Sequence, residues 1–256
     1  MRSITFPKAG RFAPRLLAVL FWLAVWQLAA IWIGQEFLLA SPLSVLRSLA
    51  RLAVQPATWQ AAGLSALRIV LGFLSALVFA LALAAGATRS RVVRELAAPL
   101  VAAARAVPVA SFVILAIILV STRWLSSLIS FVIGFPVIYS NLLEGLAARD
   151  VRLREMAQVF RVPAHRRLLY VTLPQTAPYL RAGATTALGL CWKSGIAAEV
   201  IGIPRGTIGE SLYIVKVNYL TSDLFAWTVI IIVMSLLSNL LFRFLLDAGF
   251  NRLGRL

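Results

Sequence analysis

Five stretches of this chain run for 17 to 20 consecutive residues without an Asp, Glu, Lys or Arg: 16–34, 69–88, 106–122, 124–143 and 224–242. A helix needs about 20 apolar residues to cross a hydrocarbon core of ~30 Å, and a charge at its centre costs at least about 2.5 kcal/mol. Five such runs in 256 residues point to a polytopic membrane protein. A sixth stretch, 174–204, is apolar but carries Arg181, Lys193 and Glu199, and reads as the fifth crossing in chain order. The predicted fold is all-α, with six transmembrane helices in a single domain over 1–256. Composition agrees, since 61% of residues are apolar and 13% charged, against about 45–50% and about 25% in soluble chains.

A net charge of +16 ordinarily suggests nucleic acid or an anionic lipid surface. Here its distribution follows topology. With the amino end inside, sixteen basic residues fall on the cytoplasmic side: Arg2, Lys8, Arg11 and Arg15; Arg89, Arg91 and Arg94; the six of 149–167; and Arg243, Arg252 and Arg255. Five fall outside, namely Arg47, Arg51, Arg123, Arg205 and Lys216. The positive-inside rule therefore predicts six crossings with both termini cytoplasmic, a lipid-embedded chain and no nucleic-acid partner. The first run is too long for a signal peptide and lacks a convincing cleavage site.

Little in the residue inventory supports chemistry within the chain. Cys191 and His165 are single, which excludes an internal disulfide and a multi-histidine metal site. None of Lys8, Lys193 or Lys216 follows a glycine, so the phosphate-cradling Gly-Lys loop of an ATPase is missing. The run GIPRGTIGE around Gly202, Gly206 and Gly209 resembles such a loop superficially and reads as an outer turn. The expectation is no catalytic, cofactor or metal residue. An integral membrane enzyme would need convergent groups that cannot be assembled.

Between the first two runs, Ser41 and Pro42 make an N-cap and N1 pair, followed by Val45, Leu46, Leu49 and Leu52 at helical spacing. They predict a short surface helix or simply a helical connection. The longest polar stretch, 148–176, has Asp150 placed to cap a helix and Pro163 and Pro174 placed to force boundaries. Two short amphipathic helices follow, with Met156, Val159 and Phe160 on one face of the first, and His165, Arg166 and Arg167 preceding Leu168, Leu169 and Leu173 in the second. A loop this long is expected to touch something, either a partner or the anionic lipid surface.

Glu155, Ala157, Leu173 and Pro174 fall on the spacing E-x-A, fifteen residues, L-P. This resembles the cytoplasmic coupling motif of ABC importer permeases. With Leu39-Ala40-Ser41-Pro42, the run 67–73 (LRIVLGF), Arg105-Ala106-Val107-Pro108 and the run 192–202 (WKSGIAAEVIG), the chain resembles the nitrate, sulfonate and taurine permease family over about 41–247. The resemblance implies a type I importer permease in the bacterial inner membrane. It also implies two permease copies around one pathway, and a pair of cytoplasmic ATPases that bind ATP and Mg. A periplasmic or lipid-anchored solute-binding protein would complete the assembly. The solute would be a small anion such as nitrate, sulfonate or taurine, or a vitamin precursor. The coupling set would comprise Glu155, Ala157, Arg161, Pro163, His165, Arg166, Leu169, Leu173 and Pro174. A passive channel is the alternative from another class, but it needs no docking loop.

Two features stay open in the sequence. The family usually has glycine where this chain has Arg161, so either the turn is right-handed or a neighbour makes it, because Arg in a left-handed conformation costs roughly 1–2 kcal/mol. In the fifth crossing, Trp192, Lys193, Ser194 and Glu199 are candidates for the pathway or gate. Lys193 and Glu199 lie about 120° apart on a regular helix and cannot pair, so each needs another partner, with Arg68 and Glu144 among the candidates. A structural role is the competing reading.

Overall fold

The computed structural model describes residues 12–253. Arg2, Lys8, Arg11 and Arg255, which entered the charge asymmetry, lie outside the described residues. Among those described there is no strand. The helices are α1 (Phe12–Ile33), α2 (Pro42–Val54), α3 (Pro56–Arg89), α4 (Arg91–Ala106), α5 (Val109–Leu119), α6 (Thr122–Ala147), α7 (Val151–Val159), α8 (Ala164–Arg167), α9 (Leu173–Gly202), α10 (Ile208–Val217) and α11 (Thr221–Leu253). They form two compact units: the described residues up to Pro56 with Ile214–Val229, and Ala57–Tyr213 with the described residues from Ile230.

In the first unit, Ser41 caps α2 by accepting the Ser44 N–H at 3.2 Å, with Pro42 at N1. The buried face is Val45, Ser48 and Leu52, while Leu46 points outward. Arg51 pairs with Asp223, the Trp26 indole N–H donates to the Ala40 carbonyl at 3.1 Å, and Thr221 Oγ1 donates to the Phe37 carbonyl at 2.6 Å. These bonds join segments far apart in sequence.

The second unit is built on α6 and α9. Gly183, Ala187, Cys191 and Gly195 recur every fourth residue of α9, and all are buried. Small side chains at this spacing let helix backbones approach closely, which is the main attraction available between helices in lipid. A Cβ on Gly195 would lie 2.7 Å from Ile69 and 2.9 Å from the Ser130 hydroxyl, so α3, α6 and α9 meet there. Ser130 Oγ donates to the Cys191 carbonyl at 3.3 Å and Cys191 Sγ to the Ser130 carbonyl at 3.1 Å. Val113, Ala116, Leu125, Ile129 and Ala198 bring α5 into the same core.

Among the described residues, four helices are long and apolar enough to cross a membrane: α1, α3, α6 and α11. The most apolar window of α6 is 56% buried, whereas those of α1 and α11 are 6% buried and present Leu, Val, Ile and Phe side chains outward. The expected continuous crossing over 106–122 is corrected. Helix α5 has only 11 residues, about 16 Å, and meets α4 at 107°. Pro108 causes the break, because it holds Val107 in an extended conformation (φ −71°, ψ 125°) and cannot donate to a helical ladder. The bent pair counts as a fifth crossing if taken as one. Helix α9 is 30 residues long but carries the three charges noted in the sequence.

Candidate functional site

The polar loop after α6 is fixed by its own backbone and side chains. Asp150 Oδ1 accepts the Arg152 N–H at 2.8 Å, starting α7, and the Asp150 N–H donates to Gln175 Oε1 at 2.7 Å, tying that start to α9. At the other end, Val162 N–H donates to the Ala157 carbonyl and Arg161 N–H to the Gln158 carbonyl, both at 2.9 Å. This is a Schellman termination, which requires a left-handed residue at the position of Arg161. Arg161 has φ 49°. Neither sequence-based alternative holds: the turn is left-handed, and Arg161 makes it.

Pro163 then opens α8, as expected, but Pro174 does not end a helix. From Ala164 the chain runs through a π-helical turn, Leu168–Thr172, directly into α9. A proline in a helix clashes with the carbonyl four residues back and cannot donate to it. The widened turn just before Pro174 is the kind of local adjustment that accommodates it. The two-helix expectation therefore becomes α7 followed by a helix continuous with α9.

Of the predicted coupling residues, Ala157 is buried, Leu173 is half-buried, and Glu155, Arg161, Pro163, His165, Arg166, Leu169 and Pro174 are exposed. The apolar face of α7 and its cap is also bare, with Val159 78% and Phe160 75% exposed. Arg152, Arg154 and Arg161 on the same segment are exposed too.

The charged part of α9 divides differently. Trp192, Ser194 and Glu199 are buried, whereas Lys193 is exposed and no hydrogen bond or ion pair among the described residues holds it. Its neighbours on the open side of α9 include Ala182, Thr186, Gly189 and Leu190, a surface with smaller side chains than the Leu-rich faces of α1 and α11. Glu199 is wholly buried at the amino end of α10. Its Oε2 accepts the Ser65 hydroxyl at 2.6 Å and the Gly209 N–H at 3.4 Å. Ser65 Oγ in turn accepts the Ile208 N–H at 3.0 Å, and Thr207 Oγ1 accepts the Glu210 N–H at 3.3 Å. The first three amides of α10 are thus satisfied, and a carboxylate sits where the helix dipole favours it. Gly209 is required here because a Cβ would collide with the Glu199 side chain and backbone. Arg68, also buried, adds a positive charge nearby.

The family described as binding-protein-dependent transport system inner membrane component matches residues 76–254. That span holds the loop, α9 and α11, more than two thirds of the chain. The chain belongs to this family. Over 188 residues, 71% of this chain and 68% of the relative, it is 28% identical to the taurine transport system permease protein of Escherichia coli (strain K12). Over 211 residues, 78% and 75% respectively, it is 25% identical to the nitrate import permease protein of Synechococcus elongatus (strain ATCC 33912 / PCC 7942 / FACHB-805). A putative aliphatic sulfonates transport permease protein of Bacillus subtilis (strain 168) is 30% identical over 111 residues, 43% of this chain and 40% of that relative's length.

This permease is accordingly a multi-pass inner-membrane component of a transport system that depends on a binding protein. Sequence reasoning reached its loop and named Arg68 as a possible partner of Glu199. It missed Ser65 and the α10 amides. The available signal was Thr207 three residues before Glu210, a capping-box spacing that marks the start of α10.

Proposed function

We propose that the chain forms the solute pathway of an ATP-driven importer and that the loop 148–176 docks on a cytoplasmic ATPase. The observation that carries this reading is the bare apolar face of Met156, Val159 and Phe160, held on a backbone capped at both ends. The loop is pre-shaped, so docking orders little chain. The hydrogen bond from Asp150 to Gln175 would pass its displacement directly to α9.

In this reading six crossings place both termini in the cytoplasm, and two copies of the chain surround one pathway. ATP and Mg bind to the paired ATPases, and a solute-binding protein loads the outer face. ATP-driven closure of the ATPases draws the two loops together and rocks the crossings from inward-facing to outward-facing. The relatives transport taurine, nitrate and sulfonates by name, which supports a small anion as the solute. Lys193 on the open stripe of α9 would then lower the barrier to its passage, while Glu199 anchors α10.

Phe160→Asp tests the docking role without touching a buried residue. The variant should insert normally but fail to co-purify with the ATPase and lose most uptake. Normal co-purification and uptake would assign the face to lipid. Lys193→Met should impair uptake at unchanged membrane level and assembly; unchanged uptake kinetics would remove Lys193 from the pathway.

A further inference from the structure

Where α3 and α6 end beside the start of α9, the second unit holds an open-sided cleft of about 450 Å³. Leu81, Leu142, Leu146 and Leu168 form its apolar wall, and Arg89, Arg149 and Arg167 stand at its polar side. It adjoins a second cleft of about 270 Å³ that shares Thr88, Arg149, Arg167 and Thr172 and adds Arg154. Asp150 also lines the second cleft, but its carboxylate accepts the Arg152 N–H and forms no ion pair. Among the described residues, none of these four arginines has a carboxylate partner.

Like charges brought together in a half-buried cleft repel one another and lose hydration. Burial, and then the adjacent Arg154 charge, lower the Arg149 guanidinium from its ordinary value. Its Nε donates to the Leu146 carbonyl at 2.7 Å, which holds the group in the cleft. A neutral ligand would leave the charges uncompensated, and a small hydrophilic anion would leave the leucine wall unused. The pair of cavities fits an anion joined to an apolar chain, and it lies at the ends of two helices long and apolar enough to cross a membrane, where headgroups would meet them. Basic pockets between helices at this level suit anionic headgroups.

We infer that this cleft is a specific site for one anionic phospholipid, with its phosphodiester on Arg89, Arg149 and Arg167 and an acyl chain along Leu81, Leu142 and Leu168. The site adjoins the start of α7 and the π-turn, so an occupied cleft would brace the loop against the crossings. It is independent of the transport reading, because its test reads lipid retention.

The experiment is native mass spectrometry of the full-length chain, extracted into micelles holding equal phosphatidylglycerol and phosphatidylcholine. One phosphatidylglycerol should stay bound per chain. Each lost arginine near a headgroup is worth about fivefold, so Arg149→Gln with Arg167→Gln should lower retention about thirtyfold. The paired control Arg94→Gln with Arg152→Gln, outside the cleft, should not. Ala85→Trp, which fills the cavity and keeps every arginine, should also lower retention, and Arg149→Lys with Arg167→Lys should largely preserve it. Equal retention of the two lipids would overturn the inference, as would equal loss in the control pair, which would mean diffuse surface attraction. No effect of Ala85→Trp, or full displacement of the lipid by millimolar inorganic phosphate, would replace the lipid with a free anion and overturn it as well.

Discussion

Arg161 holds a conformation that costs an arginine roughly 1–2 kcal/mol relative to glycine, and it does so at the tip of the loop that carries the proposed docking face. The Schellman hydrogen bonds at Val162 and Arg161 over-determine the turn and keep it left-handed. Arg161→Gly should therefore stabilise the loop by about 1 kcal/mol, seen as slower hydrogen exchange at the Val162 amide, with uptake retained. Loss of uptake with intact assembly would show that the guanidinium makes a contact of its own. At Glu199 the sign reverses. Glu199→Ala strips two buried donors of their acceptor, at about 1–3 kcal/mol for each group left unsatisfied, and leaves the Arg68 charge unbalanced. Thermal unfolding should shift strongly downward, while Glu199→Gln, which keeps an acceptor for Ser65 and Gly209, should lose less. Equal losses would mean that the charge, not the cap, matters. The sequence pattern exposed both residues as anomalies but could not resolve them, because each depends on backbone geometry or on partners distant in sequence.

At the scale of elements, absence of charge was a sufficient guide to α1, α3, α6 and α11, since each uncharged run lies within one long helix except for Gly34, which follows α1. It failed over 106–122, where the run has no charge but Pro108 turns the chain. It also gave Pro174 the wrong consequence, because a π-turn accommodates the ring. Charge counts measure the cost of insertion and carry no information about direction, whereas proline acts locally and its outcome depends on the turn before it. The small-residue seam of α9 lies between these cases. It is visible as Gly183, Ala187, Cys191 and Gly195 once a helix is assumed, but only packing shows which small residues matter. Gly195→Ala should destabilise the protein by about 1–3 kcal/mol through overpacking against Ile69 and Ser130. Gly189→Ala, whose Cβ would meet nothing within 4 Å, should be neutral or slightly stabilising in thermal unfolding. The reverse order would refute the seam.

For the whole molecule, family membership makes transport the task, and the arrangement of charge and burial says how the chain divides it. Leucine-rich faces on α1 and α11 stand exposed, the α6–α9 seam holds the second unit together, and the proposed topology puts the arginine-rich loop in the cytoplasm. Reporter fusions after Ala148 should read as cytoplasmic and fusions after Val217 as external; reversal of both would sink the six-crossing topology. The central claim, that the loop is an ATPase-docking element, can be tested with the chain's own cysteine economy. Its single Cys191 is buried, so Phe160→Cys introduces one accessible thiol. Maleimide labelling of that thiol should be rapid in the permease alone and strongly suppressed once the ATPase is assembled on it. Equal labelling with and without the ATPase, in a complex that still forms, would contradict the account.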